Sequence, residues 1–140
     1  MQSRLMHLQK SKIKEFMRCL GIKPESVILF GSFARGDYAE SSDIDILVVL
    51  RSDLDWFDRQ HEIGMDALIY TPKELQKMFA ENNGFILDVL EDGIILQDNG
   101  YWEAMKRKFL DRKRAGIIKK IEKGWKISKG NLPGVTNWQS

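Results

Sequence analysis

Apolar residues recur at helical spacing near the start of the chain. Leu5, Leu8, Ile13, Phe16, Met17 and Leu20 are separated by lysines, arginines and other polar residues. This spacing predicts a helix over 3–20, with Gly21 as its stop. After a turn at Pro24-Glu25 the pattern contracts to Val27-Ile28-Leu29-Phe30, a short buried strand. Gly31-Ser32 breaks that strand, and Phe33 to Asp37 reads as a short helical turn. A second strand, Asp43 to Leu50, closes on an uninterrupted apolar run, which implies burial on both faces. Residues 51–60 are polar and read as a loop or a short irregular helix. Glu62 to Tyr70 reads as a third strand.

The second half is more helical. Thr71-Pro72 pairs an N-cap with proline at the first helical position, and Glu74 falls in the first turn. The helix they open runs through Leu75, Met78 and Phe79 and ends near Asn82-Asn83-Gly84. Phe85 to Leu90 is a further helical turn, and Gly93 to Leu96 a short extended segment. From Tyr101 to Arg114 an amphipathic helix places Trp102, Met105 and Phe109 on one face. The segment from Ile117 to Ser128 reads either as two strands around Glu122-Lys123-Gly124 or as more helix. The last residues, GNLPGVTNWQS, read as a loose end. These elements predict an α/β (α+β) chain with a small mixed β-sheet of three or four strands and helices mainly on one face. A helical or hairpin extension follows at the C-terminus.

Composition narrows the class. At 140 residues the chain has the length of one domain, and its 43% hydrophobic and 30% charged residues describe a globular protein. No apolar run approaches the ~20 residues of a membrane span. The N-terminal stretch is too charged for the apolar centre of a secretory signal. A cytoplasmic protein without membrane contact is expected. Cys19 is the single cysteine, so no internal disulfide forms, and its place on a helix face reads as core. With only His7 and His61 to join it, no zinc spacing exists.

Charge is uneven. Residues 101–140 hold 11 Lys and Arg against 3 Asp and Glu, a balance of +8, whereas the first hundred balance at −6. A basic tail on an acidic body suits an acidic partner, nucleic acid or protein. A solvated lysine-rich helix is the plainer reading, since no aromatic-interleaved RNA motif accompanies it.

The chemistry concentrates in the stretch LFGSFARGDYAESSDIDILVVL, residues 29–50. Asp43 and Asp45 are two apart on a strand, so both carboxylates reach one side of it. Beside a Gly-Ser turn they form a pair of hard oxygen ligands next to a phosphate-sized site. Asp66 lies in the otherwise apolar IGMDALIY, where an unpaired charge costs several kcal/mol. Either a shared metal ion or a salt bridge across the sheet compensates it. Arg35 suits a triphosphate clamp or an ion pair with Asp37 or Glu40 in equal measure. Ser42 and Lys73 read as strand-entry and solvated residues. Trp56 suits either base stacking or folding back on the core, while Trp102 and Trp125 read as packing residues.

Glycine and serine after one strand, Asp-x-Asp on the next and an acid on a third are a specific combination. The chain resembles the polymerase-β-type nucleotidyltransferase superfamily, and within it the minimal nucleotidyltransferases of bacteria and archaea, over residues 10–98. The resemblance implies a nucleotidyltransferase catalytic domain at 1–100, with 101–140 a basic extension packed on it. It implies Gly31 and Ser32 at the triphosphate, with Arg35 beside them. It implies Asp43, Asp45 and Asp66 as catalytic and metal-binding residues for two Mg²⁺ ions, Asp66 alternatively taking a proton. ATP is the implied nucleoside triphosphate and AMP the group moved to a hydroxyl, with pyrophosphate released. Such proteins are often paired with a HEPN-type protein as antitoxins, some attaching AMP to its tyrosine. This chain lacks the HEPN ribonuclease motif itself, so a separate partner is implied, with the basic tail as docking element. Two other readings stand beside this one. One is a small-molecule nucleotidyltransferase like the aminoglycoside-modifying relatives, and the other a non-catalytic nucleotide- or partner-binding domain.

Overall fold

The computed structural model describes residues 14, 15, 18, 23–36, 45–63 and 67–128. The expected helix over 3–20 lies mostly outside these, although residues 14, 15 and 18 are helical. Gly21, Cys19 and the C-terminal segment after Ser128 lie outside them too. Two consecutive apolar segments form the centre of a four-stranded sheet, β1 (Ser26–Phe30) and β2 (Asp45–Val49). They pair antiparallel, with Ile28 opposite Leu47 and Phe30 opposite Asp45. β3 (Ala67–Tyr70) lies parallel to β2, and β4 (Ile94–Asp98) antiparallel to β1, giving the order β3-β2-β1-β4. The sheet is mixed, as the patterning predicts. Ile46, Leu47, Val48 and Val49 are all buried, which matches their unbroken apolar run.

The short helix α1 (Ser32–Arg35) follows β1, and α2 (Trp56–Ile63) links β2 to β3. The third strand is shorter than the expected Glu62–Tyr70, because Glu62 and Ile63 belong to α2; among the described residues its pairing runs from Ala67 to Tyr70. Local capping explains this: the Asp55 carboxylate accepts the Asp58 N–H at 2.9 Å and starts a helix in the polar stretch. That settles 51–60 as a loop followed by a helix. α3 (Pro72–Ala80) opens as expected. Thr71 Oγ1 accepts from the Glu74 N–H while the Glu74 carboxylate accepts from the Thr71 N–H, a reciprocal pair of bonds. Asn83 then caps α4 (Gly84–Asp92), a nine-residue helix where the sequence suggests one turn.

One face of the sheet closes against these helices. Ile28, Leu47 and Val49 share a buried cluster with Leu75, Phe79, Ile86, Leu87, Val89 and Leu90. α5 (Tyr101–Arg114) adds Trp102, Met105 and Phe109 to the same cluster. Truncating a fully buried aromatic of this kind costs about 3–5 kcal/mol, so residues beyond 100 carry part of the fold's stability. The Asp98 carboxylate anchors that helix by accepting the Trp102 and Glu103 N–H groups at 3.0 Å each and the Ser26 hydroxyl at 2.7 Å. Burial would raise this carboxyl, but the hydroxyl and backbone donors outweigh burial and hold it below the usual range.

The segment left between hairpin and helix is a hairpin, β5 (Ile118–Ile121) and β6 (Gly124–Ile127). Gly116 and Gly124 take positive φ of 75° and 120°, which ends α5 and makes the turn. Trp125 stacks edge-on against Phe109 at 5.6 Å and donates its indole N–H to Asp88. Trp125 and Trp102 are packing residues, as expected. Among the described residues no helix is long and apolar enough to cross a membrane.

Candidate active site

Strand register brings the chemistry together. β1 ends at Phe30, directly opposite Asp45 at the start of β2, so the turn after β1 lies beside that aspartate. Gly31 takes φ 78° and ψ −152°, a region open in practice only to glycine. A Cβ on Gly31 would collide with Asp45 Oδ2, and would stand 3.1 Å from its Cγ and 3.3 Å from its Cβ. Glycine is required twice over, by the backbone angle and by the carboxylate lying over it. The Gly31 carbonyl accepts the Arg35 N–H at 3.1 Å, and the Ser32 carbonyl accepts the Gly36 N–H at 2.9 Å. Gly36, at φ 82°, ends α1 after one turn.

Ser32 is half-buried at the first position of α1, next to the Asp45 carboxylate's seat, while Arg35 is exposed in its last position. Asp45 is half-buried. β3 starts alongside them, with Ala67 opposite Ile46. Asp43 and Asp66 lie outside the described residues, as do Ser42, Asp37 and Glu40. Among the described residues no three acidic, histidine or cysteine side chains gather into a metal site. The described part of the constellation is Gly31, Ser32, Arg35 and Asp45, all at one end of the sheet.

An aromatic group runs from this end of the sheet towards the other. Phe30, the residue before the turn, meets Phe85 of α4 edge-to-face at 5.4 Å, and Phe85 meets Tyr70 at 6.3 Å. Trp56 stacks at 4.9 Å on Tyr70, which pairs with Val49. That position is four residues along β2 from Asp45, roughly 13 Å at ~3.3 Å per residue. Of its two readings, Trp56 follows the one that folds it onto the body.

Sequence reasoning passed over Arg59. Its side chain is only 3% exposed, and it ties α2 to α3 by donating to the Glu74 carboxylate at 2.6 Å and to the Leu54 carbonyl at 2.7 Å. Burial would raise the Glu74 carboxyl, but Arg59 and the Thr71 N–H outweigh it and keep it below the ordinary range. Nothing in the spacing of residues 59 and 74 signals this pair, which exists only once both helices pack. Lys73 is exposed, as expected of a solvated lysine.

A protein from Methanocaldococcus jannaschii, provisionally named a protein adenylyltransferase, is 35% identical over 99 residues, covering 63% of this chain and 97% of that one. A Sulfolobus solfataricus structure, provisionally described as a nucleotidyltransferase, is 26% identical with a TM-score of 0.47, covering 70% and 84%. A toxin–antitoxin structure with AMP-PNP is 20% identical at the same TM-score, covering 76% and 87%. The family model described as the nucleotidyltransferase domain matches residues 10–129. With a Gly-Ser turn and an aspartate brought together at one end of a mixed sheet, this chain belongs to the nucleotidyltransferase domain family.

Proposed function

We propose that this nucleotidyltransferase moves AMP from ATP to a hydroxyl of a protein, a tyrosine of a HEPN-type partner, in a Mg²⁺-dependent reaction. The observation that carries the reading is the Asp45 carboxylate seated over the Cβ-free backbone of Gly31, with Ser32 next in the chain. The donor chemistry fits a hard divalent cation: Asp45, with Asp43 and Asp66 from the sequence, offers carboxylate oxygens and no soft ligand. These three aspartates would hold Mg²⁺. When bound, the metal neutralises the triphosphate and lowers the charge the attacking oxygen must approach.

The chain's own groups account for the rest. Gly31 leaves room for a phosphate against the backbone. Ser32 supplies a hydroxyl donor, and the exposed Arg35 guanidinium a charged one, for the phosphate oxygens. Asp66 takes the proton of the attacking hydroxyl or completes a second metal position. The acceptor oxygen forms a bond to the α-phosphorus, the α–β bridging bond breaks, and pyrophosphate leaves. The protein acceptor and the adenylyl group follow the name of the Methanocaldococcus jannaschii relative, which this chain matches over nearly all of that protein's length.

The test incubates the protein with α-labelled ATP, Mg²⁺ and the product of the adjacent gene. Label on a tyrosine of that product, lost in Asp45→Asn and on chelation, is the expected result. Label on a small-molecule acceptor instead would replace the protein target. ATP binding with no transfer to any offered acceptor would favour a non-catalytic domain.

A further inference from the structure

Two surface patches far apart in sequence complement each other. The first is the outer face of the hairpin. Ile118, Ile127 and Trp125 turn inward, and Lys120 pairs with Asp88 at 2.8 Å. Alternation then sends Lys119, Ile121 and Lys126 outward. Lys119 stands directly opposite Lys126 in the register, and Ile121 is 43% exposed. Like charges facing each other across a hairpin destabilise it. Neither lysine forms an ion pair with another described residue. The hairpin's one aromatic, Trp125, is committed to Phe109 and Asp88, so this face has no ring on which a nucleic-acid base could stack.

The second patch is the start of α2. Trp56 and Arg59 turn inward, which leaves Phe57 80% exposed and Leu54 42% exposed. Asp53 and Asp58 flank them, both exposed, and neither is in an ion pair with another described residue. An exposed phenylalanine beside a leucine and between carboxylates mirrors the hairpin's isoleucine between ammonium groups. Apolar centre with charged rim is the composition of a protein contact.

We propose that the two patches dock on each other between two copies of this chain. In a two-fold pair the α2 patch of each copy meets the hairpin of the other, so one contact is made twice. Lys119 and Lys126 then face Asp53 and Asp58, and Phe57 and Leu54 cover Ile121.

Sedimentation equilibrium of the whole protein over a wide concentration range tests it. Wild type is expected to shift from monomer to dimer, and salt at about 0.5 M to weaken the shift by screening the charges. K119E/K126E and D53K/D58K are each expected to weaken self-association about tenfold or more. Mixing those two variants is expected to restore a dimer, since each then offers charges complementary to the other's at both contacts. F57S, which changes no charge, is expected to weaken association without altering its salt dependence. All five positions are surface residues, and far-UV circular dichroism checks that the variants fold. A wild type that stays monomeric at every concentration overturns the proposal. So do charge-reversed variants that associate like wild type, or a mixture that stays monomeric.

Discussion

Replacing Gly31 by alanine separates two costs that coincide at one atom. The backbone there has φ 78° and ψ −152°, and a residue with a Cβ held in that region loses roughly 1–3 kcal/mol. The new methyl would overlap Asp45 Oδ2, with Cγ at 3.1 Å and Cβ at 3.3 Å, so the carboxylate must move or the turn must open. Overpacking of this kind costs about 1–3 kcal/mol, which brings the total to about 4 kcal/mol. Gly36 supplies the control. Its φ is 82°, yet nothing lies within 4 Å of its would-be Cβ, so Gly36→Ala should cost only about 1 kcal/mol. Urea denaturation measures both. Placing Gly31→Ala in an Asp45→Ala background removes the overlap with the carboxylate and leaves only the Cβ contact at 3.3 Å, so there the alanine should cost about 2 kcal/mol less than in wild type. Activity should separate the two glycines further: an ångström of displacement at a reacting site is worth about a hundredfold in rate. Gly31→Ala is therefore expected to lose AMP transfer by about that factor, and Gly36→Ala to keep it within a few-fold. Equal costs at the two glycines, or equal costs of Gly31→Ala with and without Asp45, would refute the reasoning.

Gly93→Ala should lose about 2–3 kcal/mol in the same denaturation assay, because its Cβ would press on the Val89 carbonyl and stand 2.7 Å from Ile28 Cγ2. Asp98→Asn should flatten the acid limb of the stability curve. The Asp98 carboxyl is held below its ordinary value, so its contribution is complete above that value and is lost as pH falls through the lower folded one. Tyr101 has the opposite sign at the alkaline end. Burial pushes its hydroxyl from 10 up to about 12, so its contribution holds below pH 10 and is lost as pH rises towards 12. Tyr101→Phe, which also removes the bond donated to the Pro72 carbonyl, should make thermal stability between those values less sensitive to pH.

Much of this molecule is legible in local patterns. The four apolar residues after Asp45 dictate a strand buried on both faces, and Thr71, Pro72 and Glu74 mark the start of α3 to the residue. The amphipathic period places Trp102, Met105 and Phe109 inward over the bounds at which α5 forms. The third strand is overread because Glu62-Ile63 alternates acceptably for a strand, and only the Asp55 cap upstream reveals the helix that claims them. The hairpin is ambiguous for a related reason: IIKKIEKGWKIS satisfies both periods, and the decision comes from Phe109 and Asp88, which receive Trp125. At the site, residue types and their order are readable, since Gly31 and Asp45 sit where a strand end and a strand start must. Their contact is not readable, because it depends on the pairing of Phe30 with Asp45. Arg59 and Glu74 are likewise invisible until two helices meet.

The way the core is shared along the chain has a consequence for when the protein becomes competent. All the residues assigned to the chemistry lie before position 67, yet Ile28, Leu47 and Val49 share one buried cluster with Trp102, Met105, Phe109 and Ile118. The first hundred residues hold every residue assigned to the chemistry and cover that face of the sheet with Leu75, Phe79, Ile86, Leu87, Val89 and Leu90, but they leave the cluster without Trp102, Met105, Phe109 and Ile118. The register of β1 and β2 that seats Asp45 beside Gly31 is therefore less firmly held until α5 and the hairpin complete that core. Chains cut after residue 100 are therefore expected to carry the Gly-Ser turn and its aspartate on a less stable sheet, which urea denaturation would read.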